Sequence, residues 1–262
     1  FGSSLAQVRV AKPLTVSLQR LRFANPSTIS PSTLPLPPPS PSPSPPLPPA
    51  GLTPAASMAT DAGSDKNGKG LVLVTNKMCP FAQRAWFCFE ESGLPYTLRE
   101  CQIYPKPKWL LELNPSGKVP VLIDEVENIV TPESENIVDA IAARAGPHLQ
   151  GGSNTDLVAR WRKLVGQELL PVGQDAKLSG KRGIVALNAT LSRLEKMIEG
   201  PFVLGEQLSV ADISAAPMLQ RLFEEDMVPK DFAKLHGWWA AISERPAFQK
   251  TKLEPGEYWW WW

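Results

Sequence analysis

A short apolar strand pattern that runs straight into a Cys-Pro pair constrains this chain more than any other stretch of it. Leu71-Val72-Leu73-Val74-Thr75 is rich in β-branched residues, is bounded by a Gly/Lys/Asn cluster, and reads as a buried strand. Asn76-Lys77-Met78-Cys79-Pro80-Phe81-Ala82-Gln83-Arg84 follows, and Pro80 is tolerated at the first position of a helix, where its missing N–H needs no partner. Phe81, Ala85, Cys88 and Phe89 then recur at helical spacing, which predicts one apolar face. Cys79 therefore sits where a strand ends and a helix begins. Unpaired N–H groups and the helix dipole favour an anion there, so the position predicts a thiol pulled down from about 8.5 into the range of roughly 3.5 to 7.5. A structural cysteine is the bland alternative, since free cysteines are mostly buried and inert.

The remaining pattern predicts a second strand from Tyr96 to Ile103, a short helical piece around Trp109 to Leu113, and two adjacent strands at Lys118 to Ile123 and Asn128 to Val130. A helix from about Glu133 carries Ile137, Val138, Ile141 and Ala142 on its apolar side and ends at Gly146-Pro147. The order βαβ then ββα is that of an α/β thioredoxin-like domain. From Thr155 the periodicity is helical throughout. Leu157, Trp161, Leu164 and Val165 mark one helix, and Ile184, Leu187, Leu191, Leu194 and Ile198 the next. Ser209, Asp212 and the Leu208/Ile213 pair form a capping box with a staple at the head of a third, which Pro217 should bend. A fourth covers about Phe232 to Glu244. The division expected is 1–69 leader, 70–146 thioredoxin-like domain, 147–154 linker, 155–250 all-α helical bundle and 251–262 tail, the last ending in four tryptophans to which no function is assigned.

The Cys-Pro-Phe turn between strand and amphipathic helix resembles the active-site turn of cysteine-type glutathione transferases, the group that holds the omega and lambda classes and the plant dehydroascorbate reductases. The resemblance runs from about Leu71 to Lys250. It implies the glutathione transferase fold and a glutathione-dependent thiol transferase or reductase, including dehydroascorbate reductase chemistry, with Cys79 as nucleophile. It implies glutathione as co-substrate beside a small oxidised or disulfide substrate. The implied glutathione contacts are Phe81, Lys106 toward the glycyl carboxylate, Val119 and Pro120 as a cis-proline turn that pairs with the cysteinyl unit, and Glu133 and Ser134 around the γ-glutamyl end. Each has a plainer alternative: Lys106 as a solvated lysine, Glu133-Ser134 as ordinary helix capping. Glu133 departs from the Asp that dehydroascorbate reductases usually carry, which tilts the comparison toward omega-like enzymes. Ala82 stands where a dithiol glutaredoxin has its second cysteine, so the implied mechanism is monothiol. Two other readings share the fold: a noncatalytic carrier of glutathione adducts or apolar ligands, and an intracellular chloride-channel-like protein that associates with membranes.

Composition narrows the partners. In 262 residues of net charge +1 there is no basic patch, so nucleic acid is not expected. The three cysteines make no CxxC pair, so no structural metal is expected, and no apolar run reaches the length of a membrane span. A monomer or homodimer is equally compatible with the pattern. Residues 1–57 are basic, Ser/Thr-rich and free of acids before passing into a Pro/Ser tract, the composition of a disordered transit peptide for import into the plastid stroma. The cytoplasmic alternative starts the protein at Met58.

Overall fold

The computed structural model describes residues 70–253; the leader and the tryptophan tail lie outside the described residues. β1 (Leu71–Thr75) is followed by α1 (Pro80–Ser92), β2 (Thr97–Glu100), α2 (Lys108–Leu113), β3 (Val121–Asp124), β4 (Ile129–Pro132) and α3 (Ser134–Ala145). The strands form a sheet in the order β2-β1-β3-β4. β1 pairs parallel with β2 and antiparallel with β3, so Leu73 lies between Leu98 and Leu122 and is fully buried. This is the βαβ, ββα order expected of the thioredoxin-like half. Ile137, Val138, Ile141 and Ala142 are all buried, as their spacing requires.

Helices fill the rest. α4 (Pro147–Gln150) precedes α5 (Thr155–Leu164), which passes through a π-helical turn (Val165–Leu169) into α6 (Leu170–Ser179). α7 (Lys181–Met197), α8 (Val210–Glu224), α9 (Ala233–Ser243) and α10 (Pro246–Thr251) complete the described chain. The capping box is present at the head of α8, with Asp212 buried. Its Oδ2 accepts from the Ser209 N–H at 2.8 Å and its Oδ1 from the Val203 N–H and Trp238 Nε1–H, both at 2.8 Å. One carboxylate thus ties the α8 cap to the preceding loop and to α9. Leu208 and Ile213 are both buried in the same core, where a staple would put them.

Several expectations are corrected. α1 is not buried on one face only: Ala82, Gln83, Arg84 and Phe87 are buried as well as Ala85, Cys88 and Phe89, because α3, α8 and α10 all pack on it. Ile184 is exposed rather than core. The neighbouring Gly183 takes the inward position on α7, where an added Cβ would lie 2.5 Å from the Ala176 backbone of α6, so the helices meet there without a side chain between them. The π turn and α6 fall largely between the two helices that the periodicity marks, in a stretch to which it assigns no helix. The 147–154 segment is not merely a connector, since α4 lies in it and buries Leu149. Helical packing also continues past Pro246, which opens α10 instead of only closing α9. Phe248 of α10 meets the Phe87 ring edge-on with centroids 5.2 Å apart, and Leu253 beyond it is buried.

Candidate active site

The end of β1 shapes the turn. Asn76 Oδ1 accepts from the Met78 N–H at 3.1 Å, its Nδ2 donates to the Cys101 carbonyl at 2.9 Å, and its own carbonyl accepts from the Cys79 N–H at 3.0 Å. Cys79 is left in extended conformation as the N-cap of α1. Its carbonyl takes the first helical bond, from the Gln83 N–H at 2.9 Å, and its sulfur is directed across to the Val119 carbonyl, 3.8 Å away. Val119 precedes a cis peptide bond to Pro120, as the sequence reading expected.

The electrostatics of the thiol correct the sequence reading. The Phe81 and Ala82 N–H groups and the guanidinium groups of Arg221 and Arg84 favour the thiolate, but burial outweighs them and the Cys79 thiol is pushed above its ordinary value. The cause is the packing around it: Cys79 lies against the apolar cluster of Val74, Ala82, Cys101, Leu110, Val119 and Val121. A helix N-terminus lowers a thiol only as far as desolvation permits. Cys88 and Cys101 are both buried and both raised by burial. The Cys88 sulfur faces the Val138 carbonyl at 3.7 Å, on the α3 side of the helix, so it is turned from the turn as its position along α1 predicts.

All seven residues singled out from the sequence line one cavity of about 480 Å³: Cys79, Phe81, Lys106, Val119, Pro120, Glu133 and Ser134. Ile103, Gly117 and Lys118, which the sequence reading passed over, complete its wall. Lys106 Nζ donates to the Ser116 carbonyl at 3.2 Å and its stem crosses Gly117. Gly117 has φ +61°, which favours glycine, and a Cβ there would press on the Lys106 stem at 2.6 Å and on Leu111 Cδ2 at 2.9 Å, side chains that would have to shift. The loop that leads to Val119 is braced by Asn114, whose Nδ2 donates to the Lys118 carbonyl at 2.9 Å and whose Oδ1 accepts from the Ser116 N–H and hydroxyl.

Glu133 is the N-cap of α3 at φ +70°, a region that residues with a side chain avoid. Its carbonyl accepts the first helical bond, from the Ile137 N–H at 3.1 Å, while its side chain makes no capping bond among the described residues. The side chain is exposed on the cavity wall while Ser134 behind it is buried. Backbone strain of this kind costs about 1–3 kcal/mol and persists where the surroundings hold it.

Residues that sequence reasoning missed join this wall to the helical half. Arg84 Nε donates to the Ser214 carbonyl of α8 at 2.6 Å, Arg84 Nη1 lies 3.1 Å from Glu135 Oε1, and Arg162 Nε of α5 lies 3.0 Å from Glu135 Oε2. The Arg84 guanidinium carbon also sits 5.3 Å from the centroid of the Phe81 ring. Gln83 Nε2 donates to Gln220 Oε1 at 2.9 Å, and Arg221 reaches both Gln83 and the Met78 carbonyl. The one available signal was two polar residues, Gln83 and Arg84, inside an apolar helix.

Comparison with known proteins agrees with this architecture. Residues 78–144 match the family described as glutathione S-transferase, N-terminal domain, and residues 175–249 match its C-terminal domain. The chain is 28% identical over 183 residues to glutathione S-transferase DHAR2 of Arabidopsis thaliana, covering 67% of this chain and 84% of that protein. It is 25% identical over 202 residues to glutathione S-transferase DHAR3, chloroplastic, of the same plant, covering 71% and 74%. Among solved structures it is similar to glutathione transferase Omega 3C of Trametes versicolor, with a TM-score of 0.66 at 24% identity over 72% of this chain and 87% of that one.

Proposed function

This chain belongs to the glutathione transferase superfamily, and from that premise we propose that it is a glutathione-dependent thiol transferase and reductase whose nucleophile is Cys79. The observation that carries the reading is the meeting, in one cavity, of a helix-capping thiol, the carbonyl before a cis-proline and a helix N-terminus bearing Glu133 and Ser134. Glutathione carries two carboxylates, an ammonium and a peptide-like cysteinyl unit. Lys106 supplies a cation for the glycyl carboxylate, Val119 a carbonyl and N–H for the cysteinyl unit, and the start of α3 free N–H groups and the Ser134 hydroxyl for the γ-glutamyl carboxylate. The Glu133 carboxylate accepts from the ammonium.

In the reaction proposed, the Cys79 thiolate attacks the glutathionyl sulfur of a mixed disulfide, and the substrate leaves as a thiol after taking up a proton. The S–S bond formed joins Cys79 to glutathione. A second glutathione thiolate then attacks that bond, regenerating Cys79 and leaving as glutathione disulfide. Dehydroascorbate is a second substrate class under this reading, supported by the relatives whose names carry that designation. The Phe81 and Ala82 N–H groups hold the sulfur's negative charge in each step in which Cys79 attacks or departs. The plastid reading of the leader is supported by its composition and by the chloroplastic relative.

The test is a panel of dehydroascorbate, a glutathionylated peptide and a chlorinated aromatic electrophile, each assayed with glutathione. Reduction of at least one of the first two, with conjugation of the third much slower, is the expected outcome. Glutathione capture without turnover of any of them would favour a carrier and defeat the enzymatic reading.

A further inference from the structure

We infer that Arg221 is a positioning residue for Cys79: from α8 its guanidinium grips the Met78 carbonyl and the Gln83 side chain, and so fixes the Met78-Cys79-Pro80 turn from the helical half. The inference rests on the proposed role of Cys79 as nucleophile.

The geometry is specific. Arg221 Nη2 donates to the Met78 carbonyl at 3.3 Å, Nη1 to Gln83 Oε1 at 3.2 Å, and Nη1 also to the Pro217 carbonyl one turn back on its own helix. Met78 and Gln83 flank Cys79 on either side, one in the loop and the other at the end of the first helical turn. Gln83 is itself held by Gln220, the residue before Arg221, through a 2.9 Å bond, and Gln220 Nε2 is anchored to the Leu253 carbonyl at 3.1 Å. Two consecutive side chains of α8 thus hold both sides of the catalytic turn, and the last described residue of the chain holds one of them.

A neutral donor would serve if the tie were only structural. Arg221 is fully buried. Its charge also acts on a neighbour that becomes negative during the reaction, since Arg221 and Arg84 are the two cations that favour the Cys79 thiolate against burial. The flat fork of an arginine can span two acceptors on opposite sides of the cysteine, whereas a lysine ammonium offers a single point of attachment.

The experiment uses the full chain and three variants, Arg221→Met, Arg221→Lys and Gln83→Met. Alkylation of Cys79 by iodoacetamide is followed by mass spectrometry of its peptide as pH is varied, and kcat and KM for glutathione are measured alongside. Arg221→Met is expected to move the alkylation midpoint upward by about half a pH unit or more, as loss of a nearby opposite charge does, and to lower kcat while KM changes less than twofold. Arg221→Lys should bring the midpoint back toward the parent value and leave kcat depressed, because charge returns without the fork. Folded Arg221 variants whose midpoint and kcat both match the parent would overturn the inference, even if their melting temperature falls. Should neither Arg221 variant fold, Gln83→Met decides: it removes one grip with Arg221 in place, and an unchanged kcat would equally overturn it. The alkylation readout does not need turnover, so a shifted midpoint in a protein that reduces no substrate would sink the proposed function and leave the positioning role standing.

Discussion

The sulfur of Cys79 faces the main-chain carbonyl of Val119 at 3.8 Å, across 40 positions of sequence. One residue belongs to the α1 turn and the other to the cis-proline loop, so the approach of thiol to carbonyl is set jointly by two separate pieces of chain. Asn76 fixes the first piece and Asn114 the second.

Cys79→Ser should abolish reduction of disulfide substrates while glutathione binding and the melting temperature stay near those of the parent, because a hydroxyl cannot supply the thiolate at neutral pH. Mass spectrometry after treatment with glutathione disulfide should find a single adduct, on Cys79. An internal disulfide to Cys88 or Cys101 during turnover would show that the monothiol scheme is wrong.

Glu133→Ala and Ser134→Ala should weaken glutathione binding more than they slow the chemical step. Each removes a charge-assisted hydrogen bond, worth about 1.5–3 kcal/mol, or roughly ten- to 150-fold in affinity. Calorimetric titration measures the affinity directly. If saturating glutathione fails to rescue most of the rate, these residues are not binding residues.

The Cys79 thiol is raised by burial, so its thiolate is the minor form at neutral pH. Alkylation of Cys79 should therefore accelerate by up to about tenfold per pH unit as pH rises, levelling only above the ordinary thiol value of about 8.5. The linkage has the matching sign. The fold accommodates the neutral thiol, so this group's contribution to stability is intact below the unfolded-state pKa and is lost as pH rises through the folded one. A plateau in alkylation already reached at neutral pH would contradict both statements.

Asp212→Ala should destabilise the fold by at least about 3 kcal/mol, since it leaves buried donors from Val203, Ser209 and Trp238 without their acceptor. Denaturant titration checks the magnitude. A loss below about 1 kcal/mol would mean that the box is an ordinary surface cap.

Residues 1–57, fused to a fluorescent reporter, should carry it into plastids, and a diffuse cytosolic signal would count against the import reading. Deleting them should leave the melting temperature and glutathione turnover within error, because a segment without apolar periodicity supplies no core.

What could be read from the sequence was what is local. The strand-to-helix seam at Cys79, the capping box of Ser209 and Asp212 and the hairpin between Ile123 and Ile129 each depend on residues a few positions apart, where period and turn chemistry are decisive. Gln83 and Arg84 were illegible because their partners, Gln220 and Ser214, lie 137 and 130 positions away. The protonation of Cys79 failed for a related reason: the dipole of a helix is local, but the walls that desolvate a thiol are assembled from β1, α2 and the proline loop. On α7 the apolar period places Leu187, Leu191, Leu194 and Ile198 in the core and misses only Ile184, where Gly183 one residue earlier takes the inward position and lets α6 approach too closely for a side chain.

The packing of α10 on α1 has a consequence for synthesis on the ribosome. Glu90, at the end of the helix that Cys79 caps, is bonded to Lys250, 160 positions later. At roughly 5 to 20 residues per second that interval is about 10 to 30 s, during which one flank of α1, including the ring of Phe87, has no covering helix. A nascent chain therefore carries Cys79 on an incompletely sheltered helix until α10 has emerged, and apolar surface of the kind that holdase chaperones recognise stays open for that interval.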